Sequence, residues 1–184
     1  MNNTILTIDD GPSEHTFMKI VDLKTSDIPA ILFFTGENIE KYPDVCLDCL
    51  KLGFEIQNHG YSHIDMGQLN FMQITEQIER TELLINQLYR QLDIERPRKL
   101  FRPPYGYISP IIMDVLTKHD IKLLMWTYDT RDWDKYVDHK EMLYSFRFNS
   151  ADNVILMHDH TPHELFIEIL NFLQKRGCNF TLNF

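Results

Sequence analysis

The feature that most narrows the fold of this chain is a repeated alternation. Short apolar or β-branched runs are followed by polar turns and then by stretches with helical spacing. The runs are Thr4 to Ile8, Pro29 to Gly36, Phe54 to Gln57, Leu100-Phe101, Lys122 to Tyr128, Asn153 to Met157 and Asn179 to Leu182. Continuous apolar runs of this length fit strands buried on both faces. Between them, helices are expected over Ser13 to Leu23, Tyr42 to Leu52, Leu69 to Leu92, Ser109 to His119, Lys140 to Phe148 and Glu164 to Lys175. In the first of these, Phe17, Ile20, Val21 and Leu23 are expected inward and Ser13 at the cap. In the longest, Phe71, Ile74, Ile78, Leu84, Ile85, Leu88 and Leu92 recur at helical spacing. Strand–helix alternation implies parallel strands with crossover helices. Seven strands in 184 residues are fewer than an eight-fold barrel of ~250 residues carries. The expectation is an α/β fold, a distorted or incomplete (β/α) barrel of about seven parallel strands, in a single domain over residues 1–184.

Composition bounds the function classes. A hydrophobic share of 43% and a charged share of 24% are those of a globular domain. The formal net charge of −9 offers no basic cluster to nucleic acid or an anionic membrane. No apolar run approaches the length of a membrane span. Met-Asn-Asn leads straight into the first strand without the pattern of a signal peptide, so a cytoplasmic location is expected, or an extracytoplasmic one if the chain was trimmed from a longer protein. Three cysteines fit a reducing compartment. Cys46 and Cys49 form a C-x-x-C within a helical segment, and no second cysteine pair completes a zinc site, so they read as packing residues.

Five of the runs end in residues capable of chemistry. The first stops at Asp9-Asp10-Gly11-Pro12, which taken alone is equally a polar turn. In α/β sheets, ligands and catalytic groups collect at the carboxyl ends of strands. Successive strand residues point to opposite sides, so one aspartate can hold a cation while the other handles protons. His59 and His63 follow the third run and, with Asp10, supply the two imidazoles and one carboxylate of a catalytic zinc site. Arg102, stiffened by two prolines, fits a partner that keeps Asp9 ionised as a base, or else a surface arginine. His158 suits a general acid whose tautomer Asp132 holds. Trp133 and Leu156 fit the wall of a small apolar pocket or the core, Leu156 more naturally the core. His15, His160 and His163 fit surface positions better than substrate contacts.

The ordered stretches Thr7-Ile8-Asp9-Asp10-Gly11-Pro12, His59-x-x-x-His63, Arg102-Pro-Pro-Tyr105-Gly106, Asp129-x-x-Asp132-Trp133 and Leu156-x-His158 resemble the five motifs of the polysaccharide deacetylase family, the NodB-homology group or carbohydrate esterase family 4. The resemblance implies a metal-dependent hydrolase that removes acetyl groups from N-acetylglucosamine units by attack of a metal-bound water. It implies Asp9 as catalytic base, with Arg102 as its partner. Asp10, His59 and His63 would be ligands of a divalent metal, most often Zn2+ and alternatively Co2+, Ni2+ or Mn2+. The Tyr105 backbone N–H would serve as an oxyanion donor. His158 would be the acid tuned by Asp132, with Trp133 and Leu156 lining the acetyl pocket. Two departures stand out. Gly60 replaces the usual Ser or Thr after the first histidine, which puts loop rigidity and metal affinity in question, and Ile8 replaces a Phe, an apolar exchange expected to be tolerated. O-acetyl esterase activity on acetylated sugars, or a catalytically silent carbohydrate-binding homologue, are the alternatives. A non-haem iron facial triad uses the same ligand types, but on a different architecture. The expected partner is an N-acetylated glycan such as a chitooligosaccharide or peptidoglycan. Which glycan, and the oligomeric state, are left open.

Overall fold

The computed structural model describes residues 3–147 and 153–183. Strands are β1 (Asn3–Gly11), β2 (Ala30–Phe34), β3 (Glu55–Asn58), β4 (Leu100–Phe101), β5 (Lys122–Leu123), β6 (Tyr128–Asp129), β7 (Asn153–His158) and β8 (Asn179–Phe180). Helices are α1 (Thr16–Thr25), α2 (Gly36–Lys41), α3 (Pro43–Lys51), α4 (Phe71–Gln91), α5 (Pro110–Lys118), α6 (His139–Ser145) and α7 (His163–Lys175). The sheet order is β5-β4-β3-β2-β1-β7-β6, with β8 paired to the start of β1. Every pairing is parallel, as the crossover helices require. The expected α/β architecture, a curled and incomplete (β/α) barrel, is therefore the observed one.

One strand is not as expected. Lys122 to Tyr128 is not a single strand but two short pieces on opposite edges of the curled sheet. Lys122 and Leu123 pair with Leu100 and Phe101 of β4, whereas Tyr128 and Asp129 pair with Ile155 and Leu156 of β7. The hand-over lies between the Leu124 N–H, which donates to the Phe101 carbonyl, and the Thr127 N–H, which donates to Val154. Between these two edges there is no strand pairing among the described residues, which leaves a seam crossed by this segment. The buried Arg102 side chain fills it, donating from Nε to the Leu124 carbonyl at 2.9 Å.

Period-two alternation divides the core. On β1, Leu6 and Ile8 face the helices and join Leu23, Leu50 and Leu170 in the main apolar cluster. Ile5, on the other face, packs with Ile31, Phe33, Leu100 and Val154 inside the curl. Thr7 and Asp9 continue that inner row toward the carboxyl end. Cys46 and Cys49 are buried in the main cluster, and burial pushes the Cys46 thiol up to about 12 and Cys49 well above its usual value. Both are packing residues.

The helices differ from expectation in phase and in number. Ser13 does not cap α1: its N–H donates to Thr16 Oγ1 and its hydroxyl accepts from the His15 N–H, closing a turn before the helix. The helix buries Thr16, Lys19, Ile20 and Leu23, while Phe17 and Val21 are exposed. Phe71, in the first turn of α4, is also exposed, and an Asn70–Gln73 capping box starts that helix. An additional helix, α2, precedes Pro43, whose place at the start of α3 breaks what would otherwise be one helix. The helix α6 ends at Ser145; Phe148, its expected last residue, lies outside the described residues. Among the described residues no helix is long and apolar enough to cross a membrane.

Candidate active site

The site begins with a fault in β1. Asp9 pairs with Phe33 and Gly11 with Phe34, so Asp10 is one residue too many for the ladder. Its φ of 72° lies in the left-handed region, which Asp tolerates better than most residues. A regular strand would aim the two carboxylates to opposite faces; the bulge turns both into the same pocket. This corrects the expectation of opposed side chains. Asn38 of α2 donates to the Asp10 carbonyl at 2.8 Å and so ties the bulge to its neighbour. A Cβ at Gly11 would lie 2.5 Å from the Phe34 ring, so only glycine fits there.

The end of β3 brings two imidazoles to Asp10. His59 Nε2 lies 3.2 Å and His63 Nε2 2.9 Å from the same oxygen, Asp10 Oδ1. His59 Nδ1 is 2.7 Å from the Arg102 carbonyl, an acceptor only, so Nδ1 carries the proton and Nε2 presents a lone pair to the site. Asp10 Oδ1 is buried yet has no hydrogen-bond partner among the described residues. Burial alone would raise the Asp10 carboxyl, but His59 and His63 hold it well below the usual carboxylate range. The Asp10 carboxylate beside it in turn raises His63. One ring nitrogen each of His59 and His63 and an unsatisfied carboxylate oxygen of Asp10, all within 4.8 Å of one another, form a donor set that fits a cation.

Behind them lies a buried ion pair. Arg102 is fully buried and Asp9 nearly so; the Arg102 Nη1 donates to Asp9 Oδ1 at 2.8 Å and to Thr7 Oγ1 at 2.7 Å. Its guanidinium stacks 4.3 Å over the Phe33 ring. The pair leaves the second Asp9 oxygen facing the pocket, 3.9 Å from His59 Nε2.

Across the sheet, β1–β7 register sets His158 beside Asp9. Asp132 grips His158 twice, accepting from its backbone N–H and facing its Nδ1, each at 2.7 Å. Thr161 Oγ1 donates to the same carboxylate. Burial works against a charged His158, but Asp132, with Asp9 and Asp10 nearby, more than reverses this and raises it to about 9. The same bonds lower Asp132 against its own burial.

All these groups meet in, or directly behind, a pocket of about 450 Å³ walled by Tyr105, Trp133 and Leu156 among others. Tyr105 sits in a tight turn at φ 59° and packs edge-on against the His63 ring at 4.8 Å. Leu156 is both wall and core, with 3% exposure. His160, expected at the surface, also lines the pocket, with Nδ1 3.6 Å from Asp10 Oδ2. His15 is exposed and His163 pairs with Asp22 at 2.6 Å; neither lines the pocket.

Residues 2–124 match the family model described as polysaccharide deacetylase. A peptidoglycan-N-acetylglucosamine deacetylase from Bacillus cereus is 33% identical over 158 residues, which are 85% of this chain and 55% of that protein. The chain belongs to the polysaccharide deacetylase family. A chitin deacetylase of Saccharomyces cerevisiae is 30% identical over 84% of the chain and 49% of its own length. The chain thus spans about half the length of these curated relatives. The solved structure of a family 4 carbohydrate esterase from Streptomyces lividans, in complex with acetate, superposes with a TM-score of 0.83 at 27% identity, covering 98% of this chain and 92% of that one.

Within this deacetylase-family site, several residues take a part that the sequence does not single out. Trp126 and Asp129 line the pocket, although Trp126 stood in a presumed strand and Asp129 was seen only as part of a motif. Asn38, Thr7 and Thr161 act through bonds between segments 28, 95 and 29 residues apart, which no local pattern encodes.

Proposed function

We propose that this protein is a metal-dependent hydrolase that removes the acetyl group from N-acetylglucosamine units of a polysaccharide or oligosaccharide. The observation carrying this reading is the convergence, in one pocket, of the Asp10–His59–His63 donor set with two oppositely prepared acid–base groups. A divalent cation, zinc first and cobalt, nickel or manganese as substitutes, supplies a Lewis acid that polarises an acetyl carbonyl and activates water at neutral pH. Asp10 Oδ1 and the Nε2 atoms of His59 and His63 would hold it. Asp9, held in place by its ion pair with Arg102, accepts the proton of the attacking water. The Tyr105 backbone N–H is assigned to the oxyanion that develops on the acetyl oxygen. His158, protonated at neutral pH through Asp132, gives its proton to the leaving nitrogen, so that amide and water become acetate and amine. Trp133 and Leu156 receive the acetyl methyl. The relatives named for peptidoglycan and chitin support an N-acetylated glycan as substrate.

The test is acetate release from chitooligosaccharides, peptidoglycan fragments and acetylated xylan, using protein stripped of metal and then given zinc or cobalt. Acetate from the first two only after metal addition is expected. Release from xylan alone would make the protein an O-acetyl esterase. No release with one metal ion bound per chain would mark a carbohydrate-binding homologue.

A further inference from the structure

The segment joining the two imidazoles has no regular structure to hold it. Gly60 lies at φ 75° and His63 at φ 46°, so the backbone leaves the extended region twice within five residues. Glycine adopts such a φ freely, but at His63 it persists only where neighbours enforce it. His59 is fixed by its bond to the Arg102 carbonyl. His63 is about a third exposed and packs edge-on against Tyr105, so its position follows its backbone closely.

That backbone is gripped from two helices. Gly36 and Glu37, at the start of α2, donate to the Gly60 and Tyr61 carbonyls, each at 3.0 Å. From α4, a single atom, Gln77 Oε1, accepts from the N–H groups of Tyr61 and Ser62 at 3.0 Å each and from the Ser62 hydroxyl at 3.3 Å. The Tyr61 ring is stacked on Arg80, 3.6 Å from its guanidinium carbon, one turn further along α4. Gln77, from the longest helix, therefore holds two of the three amides between His59 and His63; the third, of Gly60, donates to Asn58 Oδ1 at 2.8 Å.

We propose that Gln77 is a positioning residue of the cation site, setting the Tyr61–Ser62 backbone and through it the placement of His63 against His59 and Asp10. This rests on the cation reading above. Groups that orient metal ligands typically change metal affinity 10- to 100-fold when removed.

The experiment compares wild type, Gln77→Met and Gln77→Glu as metal-stripped full chains. Zn2+ and Co2+ affinities come from calorimetric titration, alongside amide hydrogen exchange and thermal unfolding without metal. Methionine keeps length and helix propensity but offers no acceptor; glutamate keeps the acceptor. Gln77→Met is expected to bind about 10- to 100-fold more weakly. Its Tyr61 and Ser62 amides should exchange faster, with metal-free unfolding within ~4 °C of wild type. Gln77→Glu should bind at least as tightly as wild type. Equal affinity in Gln77→Met would overturn the proposal, as would a loss of affinity that accompanies general unfolding. Wild type that binds neither ion would overturn the cation reading itself, and this proposal with it.

Discussion

Removing the guanidinium beneath Asp9 tests the energetic logic of the site directly. Arg102→Met keeps an apolar stem of similar reach but deletes three donated bonds: to Asp9 Oδ1, Thr7 Oγ1 and the Leu124 carbonyl. Breaking one side of a buried ion pair costs roughly 3–5 kcal/mol, because the remaining charge has no compensation. At neutral pH His158 is protonated and its charge, on the neighbouring strand, still acts on Asp9, so the lower end, about 3 kcal/mol, applies here. The orphaned Leu124 carbonyl in the seam adds about 1 kcal/mol. The total of roughly 4 kcal/mol is a large part of the 5–15 kcal/mol that holds a typical domain together. Most of that cost is charge, so neutralising Asp9 in the same chain should return it: Asp9→Asn/Arg102→Met is expected to be about 3 kcal/mol more stable than Arg102→Met alone. Urea unfolding at pH 7 of metal-stripped proteins, followed by circular dichroism, measures both values. A double variant no more stable than the single one would refute the claim that the arginine serves to balance the Asp9 charge.

Other consequences can be read from the same geometry. His158 has a folded-state pKa of about 9, above the ordinary value, so its charge stabilises the fold fully below about 6.5 and that contribution is lost as pH rises through about 9. Its imidazole titration followed by NMR should show this, and Asp132→Asn should bring the midpoint down toward the ordinary value; an unmoved midpoint would sever the pair. His59→Ala is expected to abolish stoichiometric metal binding by elemental analysis, whereas Asp9→Asn should keep the metal and lose at least a hundredfold in turnover. Full metal in the first variant or retained turnover in the second would contradict these assignments. Cys46 and Cys49 should resist thiol reagents in the native state at pH 8 and react on unfolding, since burial keeps both protonated.

How far the sequence could be read depends on what each residue answers to. Asp9, Asp10, His59, His63, Arg102 and His158 were legible because each ends an apolar run, and strand ends in a parallel sheet converge on one face. The bulge at Asp10 was not legible, because Asp-Asp-Gly has the same local pattern whether or not the ladder slips; the slip exists only against Phe33 and Phe34. The divided fifth strand was hidden for a related reason. Its apolar run continues unbroken through Met125 and Trp126, and only the separation of β4 from β7 forces it to change partners.

Helix α1 shows most sharply what local pattern leaves out. Choosing apolar residues selects Phe17, Ile20, Val21 and Leu23, yet the buried stripe is Thr16, Lys19, Ile20 and Leu23, the regular i, i+3, i+4, i+7 series. The phase is decided by what lies opposite. Asp159 follows His158 directly and is buried; its carboxylate accepts from the Thr16 hydroxyl at 2.9 Å, and its carbonyl accepts from Lys19 Nζ. Lys19 also lies 5.5 Å over the Phe166 ring of α7. A buried charge is tolerable where such partners exist, and the Asp159 N–H donates to the Asp9 carbonyl at 2.9 Å. The stripe that carries Thr16 and Lys19 together with Ile20 and Leu23 therefore turns inward to meet the segment that carries His158, and Phe17 and Val21 are left outside because a helix has only one such stripe to give.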